Sequence, residues 1–223
     1  MIKYIINSSF GMNQTNRFKI KETIKDSQTI LLNNQFLDSI DLTEEYYTNH
    51  LNDSMIFSEY FSLRSGQEHY RLLTYLSMIF DNVNIFDIGT CGGASAFALS
   101  SNPNNTVYTF DIQDVHSKSL SDVNNIKFCI ENILDNKEIY QTLLASPFIF
   151  LDTKHDGVFE NEFYNFLVNN NYKGILGLDD IHLNDEMKNF WNNIFIKKYD
   201  VTKYGHGSGT GLVIFNDTQI IME

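Results

Sequence analysis

Two prolines and two cysteines in 223 residues leave the chain with little punctuation and no disulfide framework. No Pro- or Gly-rich linker divides it, and no internal repeat is visible, so the length fits one domain with a sizeable core. Positive charge is also scarce. Sixteen Lys and Arg stand against 28 Asp and Glu, a net charge of −12. That balance argues against nucleic acid as a partner, because a sequence-independent grip on phosphates needs a basic surface. No apolar run reaches the length of a membrane span. The opening residues, MIKYIINSSFGMNQ, carry one Lys and too short an apolar run for a signal peptide. The expectation is a cytoplasmic protein with Cys91 and Cys129 as free thiols. What the chain does have is apolar mass: 43% hydrophobic and 14% aromatic residues, enough to exclude disorder.

The stretch that organises the rest is NIFDIGTCGGAS, Asn84–Ser95. Apolar Val83–Phe86 leads to Asp87, then to Gly89, Gly92 and Gly93, before Ala96–Leu99 resumes an apolar pattern. This reads as buried strand, tight turn and helix start. The glycines permit positive φ and close approach of a ligand to the backbone. Ser95 falls in the first turn of the helix, where free N–H groups face outward. Such turns lie outside the carboxyl ends of strands, where open α/β sheets bind ligands. A nicotinamide fingerprint would need G-x-G-x-x-G, and the middle glycine is missing. Asp87, Gly89 and Gly93 instead form Asp-x-Gly-x-x-x-Gly, which resembles motif I of class I S-adenosylmethionine (SAM) methyltransferases. The resemblance covers roughly residues 65–216. It implies SAM as cofactor and a Rossmann-like fold.

Strand and helix signals alternate along that stretch. Ser65–Phe80 has Leu72, Leu73, Leu76, Ile79 and Phe80 at helical spacing, with Ser65 and Glu68 as a capping-box pair. Catechol-type relatives contact the SAM carboxylate at this point, which makes Ser65 and Gly66 candidates beside the capping role. Thr106–Phe110 is a strand ending at Asp111, about 20 residues past the glycine turn, where an acid accepts hydrogen bonds from ribose. Asn125–Ile130 is a strand, and the resemblance places Asn132 and Ile133 around adenine. Pro147–Leu151 and Gly174–Leu178 are strands, with helices at Phe159–Asn169 and Met187–Phe195. Tyr199–Lys203 and Leu212–Phe215 read as a terminal hairpin. The fold class is therefore α/β, a mostly parallel seven-stranded sheet with an antiparallel C-terminal strand. Residues 1–64 read as a helical or extended lead-in that covers the active site, and 65–223 as the SAM-binding domain.

Two strand ends carry the candidate chemistry: LDTKH, with Asp152 and His155, and LDD, with Asp179 and Asp180. Both should reach the same carboxyl edge. Three close carboxylates repel unless a cation sits between them, and their oxygens suit Mg²⁺, Mn²⁺ or Ca²⁺, with Mg²⁺ the first choice. The pattern resembles metal-dependent O-methyltransferases. The catechol and caffeoyl-CoA types carry Lys where His155 stands and Asp-Asn where this chain has Asp179-Asp180. Asp-x-x-His with an acidic pair is closer to the macrolide-sugar, mycinamicin-type branch. That branch implies metal ligation by Asp152, Asp179 and Asp180, a sugar or glycosylated small-molecule acceptor, and His155 as general base. Lys154 is the rival base. Catechol-like phenol methylation, a non-catalytic SAM-binding module and a dinucleotide oxidoreductase are the competing readings. A homo-oligomer is left open. His182 lines the pocket or orients Asp180, or else sits on a solvated loop. His206, in GHGSGTG, touches substrate or marks a flexible tip. His50, His69 and His116 have no partner pattern and read as surface or packed residues, and Trp191 reads as core or rim.

Overall fold

The structure is a computed structural model that describes residues 28–42, 58–114 and 121–223. Among these, nine strands and six α-helices follow in order: β1 (Thr29–Leu32), α1 (Asn34–Leu37), α2 (Tyr70–Ile79), β2 (Asn84–Ile88), α3 (Ala94–Leu99), β3 (Thr106–Asp111), β4 (Ile126–Ile130), α4 (Tyr140–Leu144), β5 (Phe148–Leu151), α5 (Val158–Asn169), β6 (Ile175–Asp179), α6 (Asp185–Asn193), β7 (Lys198–Asp200), β8 (Thr210–Ile214) and β9 (Gln219–Met222). Seven of the strands form one sheet in the order β4-β3-β2-β5-β6-β8-β7. All of its pairings are parallel except those of β8, which runs antiparallel to β6 and β7. The expected fold class therefore stands. Residues 1–27 and 43–57 of the expected lead-in, His50 among them, and His116 lie outside the described residues.

The sheet is covered on both faces, which is why its central strands read as unbroken apolar runs. The period of two sorts each strand. Phe148 and Phe150 face one side, against Leu72 and Leu76 of α2 and Phe97 of α3. Ile149 and Leu151 face the other, against Phe163 and Leu167 of α5 and Phe190 and Trp191 of α6. Trp191 is 7% exposed and so belongs to the core, one of the two places expected for it.

Two elements differ from the sequence expectation. α2 begins at Tyr70, with His69 at its cap position and no side-chain cap bond. Ser65 does not cap it. The Ser65 N–H and hydroxyl both donate to Asp38 Oδ1 at 2.9 Å. Asp38 thus competes for the groups a capping box would use, and Glu68 accepts from the His69 N–H instead. The second difference is a small parallel sheet in which β1 pairs with β9, Thr29 opposite Gln219. Ile30, Leu32 and Leu37 are buried in the α2–α3 face of the core. Residues 29–37 therefore pack against the chain's far end as part of the core. Within the described residues no helix is long and apolar enough to cross a membrane. Cys91 and Cys129 are free thiols.

Candidate functional site

The strand order reverses between β2 and β5, since β2 pairs with β3 on one side and β5 on the other. A crevice opens at the carboxyl ends of such a pair. The glycine turn sits there. Gly89 has φ +103°, its N–H donates to Phe110 O, and a Cβ on it would lie 1.6 Å from the carbonyl oxygen of Asp152. Only glycine lets the end of β2 pass the end of β5. Gly93, at φ 89°, is the N-cap of α3. The turn is pinned from β3, because the Cys91 N–H donates to Asp111 Oδ2 at 2.9 Å.

A cavity of about 1020 Å³ runs along this edge. Of the residues expected from the sequence, Gly89, Ser95, Asp111, Asn132, Ile133, Asp152, His155 and Asp179 line it. Lys154 does too. So does His206, whose two expected roles were substrate contact and flexible tip; Gly93, Asp87, Asp180, Ser65 and Gly66 do not. Gly93 shapes the turn from behind. Asp87 is completely buried under it, where Thr109 donates a hydrogen bond at 2.6 Å. Asp180 adjoins the cavity through His155, its Oδ2 3.6 Å from Nε2. Ser65 and Gly66 face elsewhere: Ser65 is held by Asp38, and a Cβ on Gly66 would meet the Lys203 carbonyl at 2.7 Å. The segment reaches the cavity through Glu68, His69 and Tyr70 instead.

The acid cluster contains imidazoles that the sequence reading did not assign to it. His69 was expected to be a surface or packed residue. It is 3% exposed, and its Nδ1 lies 2.9 Å from Glu68 Oε1 and 3.4 Å from Asp179 Oδ1. His206 Nδ1 lies 3.5 Å from Asp179 Oδ2 and 3.3 Å from Asp180 Oδ1, and Ser208 donates to Asp180. The loop carrying His206 is thus folded onto the site. His155 Nε2 lies 3.1 Å from Asp152 Oδ1. His182 is outside the site, 2.7 Å from Asp200.

Two of these residues occupy the left-handed region, His155 at φ 57° and Asp180 at φ 57°. For residues with a Cβ this costs on the order of 1–2 kcal/mol and persists only where the surroundings dictate it. At His155 they do. Its N–H donates to Glu160 Oε1 at 3.0 Å, and its carbonyl accepts from Asn184 at 2.8 Å.

The charges are mutually adjusted. Burial works against ionisation of Asp179, but His69 and His206 outweigh it and hold the carboxyl far below its ordinary range. Burial pushes Asp152 up, against the opposing contact with His155. Burial likewise disfavours charge on His69, yet Asp179 and Glu68 raise its pKa well above the usual value. The Asp179 and Asp180 contacts push His206 up to about 10. His69 and His206, when protonated, would offset the repulsion among the three neighbouring carboxylates. The donor set also fits a metal ion. His69, Asp152 and Asp179 offer ligand atoms within 4.8 Å of one another, as do His155, Asp179 and Asp180. Asp179 Oδ1 and both ring nitrogens of His69 are buried without a hydrogen-bond partner.

No protein-family model matches the sequence, and no characterised protein sequence does either. Solved structures do match. The O-methyltransferase TomG from Streptomyces achromogenes, involved in tomaymycin synthesis and solved with SAM, has 15% identity and a TM-score of 0.53. The match covers 83% of this chain and 99% of that one. The shared fold is the Rossmann-like methyltransferase fold. An O-methyltransferase from Bacillus cereus, solved with S-adenosylhomocysteine (SAH), matches at 14% identity and TM-score 0.53, over 81% of this chain and 96% of that one. The SAH-bound methyltransferase PaMTH1 from Podospora anserina matches at 13% identity and TM-score 0.53, over 94% and 99%. At these identities the likeness is one of fold.

Proposed function

We propose that this chain is a SAM-dependent O-methyltransferase that acts on a hydroxyl of a sugar or glycosylated small molecule with the help of a divalent cation. One observation carries the reading. The glycine turn and Asp111 line the same cavity as Asp152, His155 and Asp179. A cofactor held by the turn would thereby share one space with acidic and imidazole side chains. Neighbours of the same fold solved with SAM or SAH support the choice of cofactor.

In this reading the backbone of residues 89–95 takes the amino-acid portion of SAM, Asp111 accepts hydrogen bonds from the ribose hydroxyls, and Asn132 and Ile133 border the adenine. Asp152, Asp179 and Asp180 are the residues that would hold the cation. A bound cation supplies acidity to the acceptor hydroxyl and fixes its orientation. His155, on the cavity wall, takes the hydroxyl proton, and Glu160 and Asn184 hold its backbone in place for that task. Lys154 lines the same wall and is the competing base. Holding the two reactants together in one cavity contributes much of the rate.

Calorimetric titration with SAH, and separately with NAD, tests the cofactor. Binding of NAD without SAH would overturn the reading. A panel of vicinal-diol sugars and catechols, assayed for SAH release, tests the acceptor. With an active acceptor, His155→Ala should lower turnover on the order of 10²–10⁴-fold while SAH affinity is kept. Loss of turnover in Lys154→Ala with retention in His155→Ala would reassign the base.

A further inference from the structure

We propose that His69 is a ligand of the cation site. With Asp152 and Asp179 it forms a centre of one imidazole and two carboxylates that selects a first-row transition-metal ion, with Mn²⁺ as the working probe, over Mg²⁺. The inference rests on the reading above in treating the cluster as a cation site, and it changes both the ligand set and the metal expected from the sequence.

The motive is a group of buried polar atoms without an aligned hydrogen-bond partner. His69 is 3% exposed, and its ring packs against Tyr70 and Phe150 with centroids 4.7 and 5.1 Å away. Neither ring nitrogen has a hydrogen-bond partner. The approaches to Glu68 and Asp179 are close but lack hydrogen-bond alignment. Asp179 Oδ1, 4% exposed as a residue, is orphaned at the same spot. Buried polar groups are almost always satisfied, and each exception needs an explanation. A metal ion among His69, Asp152 and Asp179, whose donors already lie within 4.8 Å of one another, supplies one.

Asp180 is placed at the edge of this donor set, with Oδ2 left toward His155 at 3.6 Å. Its Oδ1 is engaged by Ser208 and by His206 at 3.3 Å. An imidazole nitrogen in place of a carboxylate oxygen alters selectivity. Mg²⁺ prefers oxygen ligands and retained waters, whereas imidazole suits transition-metal ions. Glu68 Oε1, 2.9 Å from Nδ1, is near enough to become the outer carboxylate of the histidine once Nε2 ligates and the ring settles onto the ion.

The test is electron paramagnetic resonance of Mn²⁺ added to the full chain, with Mg²⁺ as competitor and an SAH titration on the same samples. The expected result is one bound Mn²⁺ that equimolar Mg²⁺ does not displace. Pulsed spectra should contain nitrogen hyperfine coupling that changes on ¹⁵N-histidine labelling. His69→Ala should remove that coupling and weaken Mn²⁺ binding by more than the roughly 10–100-fold that loss of an outer partner costs. Asp180→Asn should weaken it by less. If the alanine variant does not fold, His69→Asn repeats the comparison. Bound Mn²⁺ without nitrogen coupling, or with coupling that survives removal of His69, overturns this inference and leaves the methyltransferase reading standing. Binding of SAH but no Mn²⁺ removes the metal from both. Failure to bind either removes the methyltransferase reading as well.

Discussion

Replacing Asp87 with asparagine should abolish a pH dependence of stability that the buried carboxylate imposes on the fold. Asp87 sits in the central strand with no solvent exposure. Burial raises its pKa from the ordinary 3.8 to about 7, against the opposing hydrogen bond from Thr109. A carboxyl whose folded pKa exceeds its unfolded value binds its proton more tightly in the native state. Its contribution is fully present below pH 3.8 and is lost as pH rises through about 7. The whole displacement corresponds to about 4 kcal/mol, of which about 2.5 kcal/mol falls between pH 5 and 8. For a domain of this size, that is roughly 5–10 °C in melting temperature. Asp179 and Asp180, whose pKa values are lowered, act in the opposite direction, so the informative quantity is the difference between wild type and Asp87→Asn. Thermal unfolding followed by circular dichroism at several pH values, in chelator and without SAM, measures it. The variant should gain on the wild type by about 2.5 kcal/mol from pH 5 to 8. A difference constant to within about 0.5 kcal/mol, the scatter of an ordinary surface change, would refute the argument.

Two further variants probe the scaffold. Gly89→Ala places a Cβ 1.6 Å from the Asp152 carbonyl at φ +103°, so β2 and β5 must separate at their ends. Urea unfolding should record a loss above about 3 kcal/mol together with loss of SAH binding, and a melting temperature within a few degrees of wild type would contradict it. Arg71 donates from Nε to the Leu63 carbonyl at 2.9 Å and from Nη1 to the carbonyls of Asp38 and Ile40. Arg71→Met leaves those carbonyls unpaired and should cost about 2–3 kcal/mol in urea, with an unchanged midpoint counting against the assigned role.

By itself the sequence determined the sheet, its helices and the edge on which chemistry sits. The signals were local: apolar runs of strand length between helical stripes, and a glycine-rich turn between a strand and a helix. Asp111, Asp152 and Asp179 were legible because strand ends at the switch point converge on one edge whatever the loops do. Asp152 and Asp179 needed no long-range information beyond parallel order. Tertiary structure alone decided the rest. Ser65 and Glu68 carry the spacing of a capping box, but Asp38, 27 residues away, takes the Ser65 donors and the helix starts later. β1 and β9 are short and lie at opposite ends of the described chain, so neither announced its partner. His69 and His206 belong to separate segments with no fixed spacing to the strand-end acids. Packing brings one to Asp179 from the entry of α2 and the other from the loop before β8. The balance of charge that decides between metal and protonated imidazole is set by distances of a few ångströms. Residue spacing along the chain does not encode them.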